Sequence, residues 1–298
     1  MKRNKYRLID RALGYKMIIP ATVLLALIIF YPLISGIIMS FKNYNLLRPD
    51  EVRFIGLGNY FNIIFKDTEF RGVLFFSFLY TVGVVLFSYL VGLGLAMLLK
   101  RDIKFRGLFR TLVLIPWVIP PVVACTNWLW VLNDQVGIVN VVLKQLHIIK
   151  SPILFLGSET LARITVIFTG TWKSYPFMMI VILAGLQSIP KEMYEASKID
   201  GANIFQSFIY ITMPMIKSVS FICTTLMFIW TFNNFDNIYL LTKGGPLNQT
   251  FVMPILSYYT AFYRTQFGYA SAIAVVMLVV LLILSLLYLR LLKTDKDN

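Results

Sequence analysis

The chain has 298 residues, of which 58% are hydrophobic and only 14% are charged, with a mean hydropathy of +0.74. Because a soluble domain carries roughly a quarter of charged residues, this composition excludes an ordinary soluble protein and indicates an integral membrane protein. The formal net charge of +14 could suggest a nucleic-acid-binding protein. However, the basic residues cluster in short loops beside apolar segments, where they orient a membrane protein. We therefore expect no nucleic-acid partner.

Six apolar segments are long enough to cross a bilayer, which requires about 20 residues. The sequence therefore predicts an all-α, polytopic membrane protein with six transmembrane helices. The first segment is too long for the apolar part of a signal peptide, so we expect it to be retained. A transmembrane domain of residues 17–292 would lie between a basic tail, 1–16, and a short tail, 293–298. The predicted spans are 17–39, 72–99, 108–131, 161–186, 218–240 and 268–292.

Small residues and prolines mark two of these spans. In the second, Gly83, Ser88, Gly92 and Gly94 would allow close helix packing. The alternative is that glycine is simply frequent in membrane helices. In the third, prolines 116, 120 and 121 predict a bent or broken helix, which requires protein or water to satisfy the freed carbonyls.

Lys173 falls near the middle of the fourth span, with Tyr175 close by. A lysine at the centre of a membrane helix costs about 2.5–3.5 kcal/mol on insertion scales, so it needs a partner or a water-filled cavity. The alternative is that the span begins later and the lysine extends to the membrane surface.

The second half of the fifth span is unusually polar, with Trp230, Asn233, Asn234 and Asp236 in a short run. Polar groups in hydrocarbon are costly unless they are satisfied. On one helix, residues four apart lie on the same face, which predicts a polar lining for a cavity. The alternative is a helix end that lies among lipid headgroups.

Cysteine and histidine usage predicts no catalytic residues and no metal site. Cys125 and Cys223 each fall inside an apolar run, where cysteine behaves as a small hydrophobic residue. The single histidine, His147, lies in a loop, so no zinc, haem or catalytic-triad arrangement is available.

The segment from Glu192 to Pro214 predicts two short helices that meet at a bend. Pro190 opens the first helix, and Gly201 can end it with a positive φ. Pro214 is expected to interrupt the second helix just before the next apolar segment.

This segment resembles the coupling motif of ABC importer permeases, in which Glu-Ala-Ala is followed by Gly and then by Ile-x-Leu-Pro. Two positions depart from the motif, since Ser197 replaces the second alanine and Met213 replaces the leucine. The resemblance implies a cytoplasmic helix–turn–helix that docks on a separate ATPase subunit. The coupling residues that it implies are Glu195, Ala196, Ser197, Asp200, Gly201, Ala202, Ile211 and Pro214.

Four further patches resemble the carbohydrate branch of these permeases, as in maltose-type and glycerol-phosphate-type importers. They are FIGLGNYFNIIFKDTEF, LIPWVIPPVV, Asn-Asn-Phe-Asp at 233–236 and LTKGGP at 241–246. The resemblance implies transport of a sugar or oligosaccharide without covalent catalysis. The candidate substrate-path residues are Trp230, Asn233, Asn234 and Asp236, with Lys173 and Tyr175 as a second tier.

The same resemblance implies the partners: a second permease in a heterodimer, two ATPase subunits and an extracellular solute-binding protein. The sequence has no glycine-rich phosphate-binding loop followed by Lys-Ser/Thr, so we expect no cofactor on this chain and use of ATP and Mg by the partner ATPase. Basic residues favour the side that carries both termini and the Glu192 segment, which predicts that both termini are cytoplasmic. The resemblance implies that the membrane is a bacterial plasma (inner) membrane.

Two other functions stay open at this point. The coupling motif alone also fits an ABC importer permease for a non-sugar solute. A secondary transporter driven by an ion gradient would place acids or histidines inside its spans and broken helices in both halves. Asp236 is the only acid well inside a predicted span, which argues against that second alternative.

Overall fold

The computed structural model describes Leu13, residues 16–101 and residues 104–294, and these residues are mostly helical. Most of the predicted tails, 1–16 and 293–298, lies outside the described residues. The helices are α1 (Lys16–Ser40), α2 (Gly58–Phe61), α3 (Thr68–Lys100), α4 (Arg106–Val118), α5 (Pro121–Val131), α6 (Ile138–Gln145), α7 (Glu159–Gln187), α8 (Lys191–Ile199), α9 (Ile204–Ser207), α10 (Met213–Phe232), α11 (Asp236–Thr242), α12 (Met253–Phe262) and α13 (Phe267–Thr294). The strands are β1 (Lys42–Asn43) and β2 (Arg53–Phe54). Short π-helical or 3-10 turns cover Ala26–Phe30, Pro49–Glu51, Asn62–Lys66 and Phe208–Thr212.

The described residues contain the spans that the apolar segments predict. Five helices are long and apolar enough to cross a membrane, and a sixth candidate is the pair α4 and α5, which bends by 93°. The five are Lys16–Ser40, Thr68–Lys100, Glu159–Gln187, Ile204–Phe232 and Phe267–Tyr288. The prediction of an all-α polytopic membrane protein is therefore confirmed.

The described residues divide into two compact units. The first unit comprises the described residues of Met1–Asp67 and Ser257–Met277. The second unit comprises the described residues of Thr68–Leu256 and Leu278–Asn298. In the first unit, β1 and β2 form an antiparallel pair, and the amide of buried Asn59 donates to the carbonyls of Ser40 (2.8 Å) and Lys42 (3.0 Å).

The core of the second unit lies where α3, α7 and α10 pack together, around buried apolar residues such as Ala96, Met178 and Ile216. Helix α3 approaches α7 so closely at Gly92 that an added Cβ would lie 2.7 Å from the Cβ of Met178. At Gly94, by contrast, an added Cβ meets nothing within 4 Å. Close packing therefore explains Gly92, whereas Gly94 needs no packing explanation.

The third predicted span is broken between α4 and α5, which confirms the effect expected of its prolines. A helical carbonyl accepts from the N–H four residues later. Pro120 and Pro121 have no N–H, so the carbonyls of Pro116 and Trp117 have no helical donor. The backbone turns at Ile119, which has a ψ of 131°.

The fifth predicted span, 218–240, is wrong at its C-terminal end. Helix α10 stops at Phe232, and α11 begins only at Asp236. The Asn233 amide donates to the Ile229 carbonyl (2.9 Å), and the Asn234 side chain accepts from the Asn237 N–H (3.1 Å). Asparagine competes with the helical backbone in this way, so the polar run ends one helix and starts another. Trp230 and Asn234, which are four residues apart, therefore do not share a helix.

Pro214 was expected to interrupt the helix, and this expectation is also wrong. The structure has one continuous helical segment from Ile204 to Phe232. A π-helical turn at Phe208–Thr212 precedes the proline, and the Met213 N–H bonds to the Phe208 carbonyl five residues earlier. Such a turn shifts the hydrogen-bond register, which accommodates the missing N–H without ending the helix.

Candidate functional site

The coupling segment, defined here as residues 191–214, is a helix–turn–helix whose turn is fixed by backbone hydrogen bonds. Helix α8 ends at Ile199, and Gly201, just after the cap residue Asp200, has a φ of +80°. The Gly201 N–H donates to Lys198 O (3.1 Å), and the Ala202 N–H donates to Ser197 O (2.9 Å). These two bonds form a Schellman motif, which places glycine where a left-handed residue is required. The prediction that Gly201 ends this helix with a positive φ is confirmed.

Side chains fix the second half of the turn. Asn203 and Gln206 form a reciprocal capping box at the start of α9, with both hydrogen bonds at 2.9 Å. The Ser197 and Ser207 hydroxyls lie 3.2 Å apart and join the two helices. Ser197 is buried, which shows why a small hydroxyl side chain fits at this motif position.

The outer surface of the coupling segment is exposed. Glu195, Ala196 and Asp200 face outward. Large apolar side chains beside them are also uncovered, with Ile199 87% and Ile204 79% exposed. Ala202 and Ile211 are partly buried. Large exposed apolar side chains of this kind are typical of a protein interaction site.

A groove of about 900 Å³ lies between the coupling segment and the end of α3. Its lining includes Lys100, Arg101 and Lys198, and it includes no acidic side chain. The Lys100 ammonium lies 4.1 Å from the centre of the Tyr194 ring, which orients it by a cation–π contact. The groove is therefore electropositive.

A second, much smaller cavity of about 50 Å³ lies beside α5, α7 and α11. Three of the predicted path residues line it: Lys173, Asn234 and Asp236. The other three, Tyr175, Trp230 and Asn233, are not among its lining residues. Trp230 instead packs edge-on against Phe177, with ring centres 5.0 Å apart. The cavity has room for one or two water molecules and not for a sugar ring.

The Lys173 ammonium makes its contacts at the break of the third span. It donates to the carbonyls of Pro116 (2.9 Å) and Trp117 (3.4 Å), and to that of Ile119. The first two are the carbonyls that the prolines leave without helical donors. Among the described residues, no ion pair joins Lys173 to Asp236.

The cavity also contains residues that the sequence analysis did not assign to the path. Trp128 and Trp172 line it, with ring centres 5.4 Å apart at 88°. Trp128 follows the proline break, on α5. Its position on α5 would have indicated that it lines the cavity only if the residue at which the third span breaks had been predicted.

Asn237 is buried in a polar network. Its amide nitrogen lies within hydrogen-bond distance of the Tyr80 hydroxyl (3.2 Å), the Val166 carbonyl (3.2 Å) and the Thr169 hydroxyl (3.4 Å). The network joins α11 to α3 and α7, so it fixes the helix that carries Asp236 into the cavity.

We predict that Asn237→Leu destabilises the purified protein by about 1–3 kcal/mol, because it leaves buried polar groups unsatisfied. The measurement is the thermal unfolding midpoint in detergent. Asn127→Leu is the control, since Asn127 is exposed on α5. Equal midpoints for the two variants would show that the network does not hold α11.

Comparisons with known proteins agree with this geometry. Residues 88–294 match the family described as binding-protein-dependent transport system inner membrane component. The chain is 32% identical over 293 residues to the trehalose/maltose transport system permease protein MalF of Thermococcus litoralis, covering 98% of this chain and 97% of the relative. It is 33% identical over 285 residues to the sulfoquinovosyl glycerol transport system permease protein SmoG of Agrobacterium fabrum, covering 96% and 92%.

A solved structure shares the fold. It is a chain of a bacterial alginate ABC transporter in complex with an alginate pentasaccharide-bound periplasmic protein, with a TM-score of 0.81, 22% identity and 95% of each chain covered. The family match covers more than half of the chain, and the two named relatives are similar over nearly its full length. This chain therefore belongs to the family of binding-protein-dependent transport system inner membrane components, the permease subunits of ABC importers.

Proposed function

We propose that this permease subunit forms part of the translocation path for a sugar or oligosaccharide that an extracellular solute-binding protein delivers. Both named relatives carry the names of saccharide or glycoside transport systems. The solved transporter with the same fold was captured with a saccharide-bound periplasmic protein. The small cavity supports the same substrate class, because Trp128 and Trp172 supply aromatic faces and Asn234 and Asp236 supply hydrogen-bonding groups.

The exposed coupling segment is the single observation that carries the proposed link to ATP. We infer that the uncovered side chains of Ile199 and Ile204 pack into a separate ATPase subunit, and that Glu195 meets a basic group there. Burial of such apolar surface contributes roughly 25 cal/mol per Å², which favours docking. The ATP and Mg²⁺ would be used by that ATPase and not by this chain.

The complete importer in this proposal contains a second permease in a heterodimer, two ATPase subunits and the binding protein. Both termini and the coupling segment would face the cytoplasm of a bacterial inner membrane, as the distribution of basic residues favours. Closure of the ATPases would shift the spans between inward-open and outward-open states. The cavity of about 50 Å³ is too small for a sugar, so in this proposal the path widens before the substrate passes.

The test is a pull-down of the detergent-solubilised protein from its own cell, comparing wild type with Glu195→Ala. We expect wild type to retain an ATPase, a second six-span protein and a binding protein loaded with sugar. Glu195→Ala should lose most of the ATPase and keep the second permease, because the spans are unchanged.

Glu192→Ala is the matched control, since Glu192 is an exposed acid in the first turn of the same helix. An acid at that place stabilises the helix through its dipole. If Glu192→Ala loses the ATPase as completely as Glu195→Ala, the effect is one of helix stability and not of docking. A wild-type protein that purifies alone and moves solute without ATP would contradict the whole proposal.

A further inference from the structure

Lys173 is a lysine at the centre of a described span, so its partners require an explanation. It occupies the middle of α7 (Glu159–Gln187), where a charge must be paired or hydrated. An ammonium group has three N–H donors and no acceptor. Three carbonyl oxygens lie around Lys173 Nζ, so the protein itself can use all three donors.

The carbonyl oxygens belong to one place in the chain, the C-terminal end of α4 and the residue that follows it. The carbonyls of Pro116 and Trp117 lack helical donors because residues 120 and 121 are prolines. The C-terminal end of a helix also carries a partial negative charge, which a cation stabilises. Lys173 therefore satisfies the hydrogen bonds that the break removes and neutralises the helix end that it exposes.

The neighbouring packing supports the same arrangement. Pro116 is buried, and the Trp117 ring lies 6.2 Å from that of Phe177, one turn of α7 beyond Lys173. Asp236 lines the same cavity, yet no ion pair joins it to the ammonium in the described part of the chain. The Lys173 ammonium thus contacts the backbone at the end of α4, although the Asp236 carboxylate lines the same cavity.

We propose that Lys173 is a positioning residue that caps α4 across the bundle and holds the break of the third span, and that it is not an anion-binding group of the path. An acidic sugar would have to displace three carbonyls to reach the ammonium, and Asp236 would repel it. The Lys173 ammonium therefore sets the shape of the path. Because its donors are used by the backbone of α4, Lys173 does not offer a positive charge to a substrate.

The test is a double-mutant cycle on the complex purified with its partners. Lys173→Met keeps the chain length and removes all donors, while the pair Pro120→Ala/Pro121→Ala restores backbone N–H groups at the break. We expect Lys173→Met to lower the thermal midpoint by several degrees in the wild-type background. It should lower the midpoint far less in the background of the two proline substitutions, where the carbonyls can find backbone donors.

A distance measurement separates positioning from general destabilisation. Spin labels at Val118→Cys, on the end of α4, and Ile180→Cys, on α7, report the geometry of the break when Cys125 and Cys223 are replaced by alanine. We expect a narrow distance distribution in the otherwise unchanged protein, a broad one for Lys173→Met, and a narrow one again for Lys173→Arg, which keeps the donors. Lys173→Gln, with two donors, replaces Lys173→Met if the latter yields no complex.

Two results would overturn the proposal. One is a Lys173→Met effect of the same size with and without the proline substitutions. The other is an unchanged distance distribution together with a raised KM for acidic saccharides alone, which would make Lys173 a ligand-binding cation. Both results leave the assignment as an ABC importer permease intact, so failure of this inference is distinguishable from failure of the proposed function.

Discussion

Replacing Gly92 with valine is expected to prevent formation of a stable protein. An added Cβ at Gly92 would lie 2.7 Å from Met178 Cβ and 2.9 Å from the backbone nitrogen of Met179. A backbone atom cannot move aside as a flexible side chain can, so α3 and α7 would have to separate along their contact. Overpacking typically costs about 1–3 kcal/mol and occasionally more, and a clash with backbone belongs at the upper end, which is a large share of the roughly 5–15 kcal/mol that keeps a protein folded.

Gly94→Val is the matched control for Gly92→Val. It lies on the same helix two residues later, and its added Cβ meets nothing within 4 Å. Both variants replace a glycine of α3 with valine and so have the same amino-acid composition. They differ only in what the added side chain packs against. We expect normal yield and an unchanged thermal midpoint for Gly94→Val, and little monodisperse protein for Gly92→Val. Similar yields would mean that α3 and α7 do not approach as closely as the structure shows.

The difference between these two glycines also shows what the sequence could not decide. The apolar runs were enough to predict the spans, because each is longer than a bilayer requires and is bounded by charges. They could not distinguish Gly92 from Gly94, because facing residues on a second helix determine which glycine is needed. Tertiary contacts of this kind have no signal in the local pattern.

The polar run after Trp230 shows a second limit. Its residues have helical spacing, and this predicted a cavity lining on one helix. Asn233 and Asn234 use their side chains on the backbone instead, so α10 ends at Phe232 and α11 begins at Asp236. Two of the predicted path residues, Asn234 and Asp236, still line the cavity. They line the cavity because the helix breaks before them, and helical spacing alone did not predict that break.

The prolines were interpreted correctly in one place and incorrectly in the other. At residues 120 and 121, two adjacent missing N–H groups leave two carbonyls unsatisfied, and the helix breaks. At Pro214, a single missing N–H is absorbed by the π-helical turn before it. Sequence alone predicts the missing donor in both cases, but only the surrounding structure shows whether another group replaces it. At the break in the third span, that group is Lys173 from α7.

The turn of the coupling segment was well predicted from sequence, because it depends on local chemistry. Gly201 has a φ of +80°, which most L-residues adopt at a cost of about 1–2 kcal/mol. An added Cβ at Gly201 meets nothing within 4 Å, so the cost is purely conformational. Gly201→Val is therefore expected to shift the angle between α8 and α9 without disturbing the core.

Such a shift should appear as a loss of coupling. A strain of about 1–2 kcal/mol lowers the docking-competent population by a factor of about 5–30, and the apparent affinity for the ATPase falls by the same factor. We expect Gly201→Val to retain the thermal midpoint of wild type and the second permease. Its retention of the ATPase and its solute import should fall by roughly that factor, measured by pull-down and by uptake in cells.

Two substitutions separate backbone strain from the added side chain. Gly201→Asn should retain most of the import, because asparagine tolerates left-handed backbone better than valine. Gly72→Val adds the same side chain at an equally open glycine inside α3, where the backbone is helical. It should leave import unchanged. If Gly201→Val imports as well as Gly72→Val, the geometry of this turn does not transmit the motion of an ATPase. If Gly201→Asn fails as completely as Gly201→Val, the docking surface tolerates no side chain there and contact, not strain, is the cause.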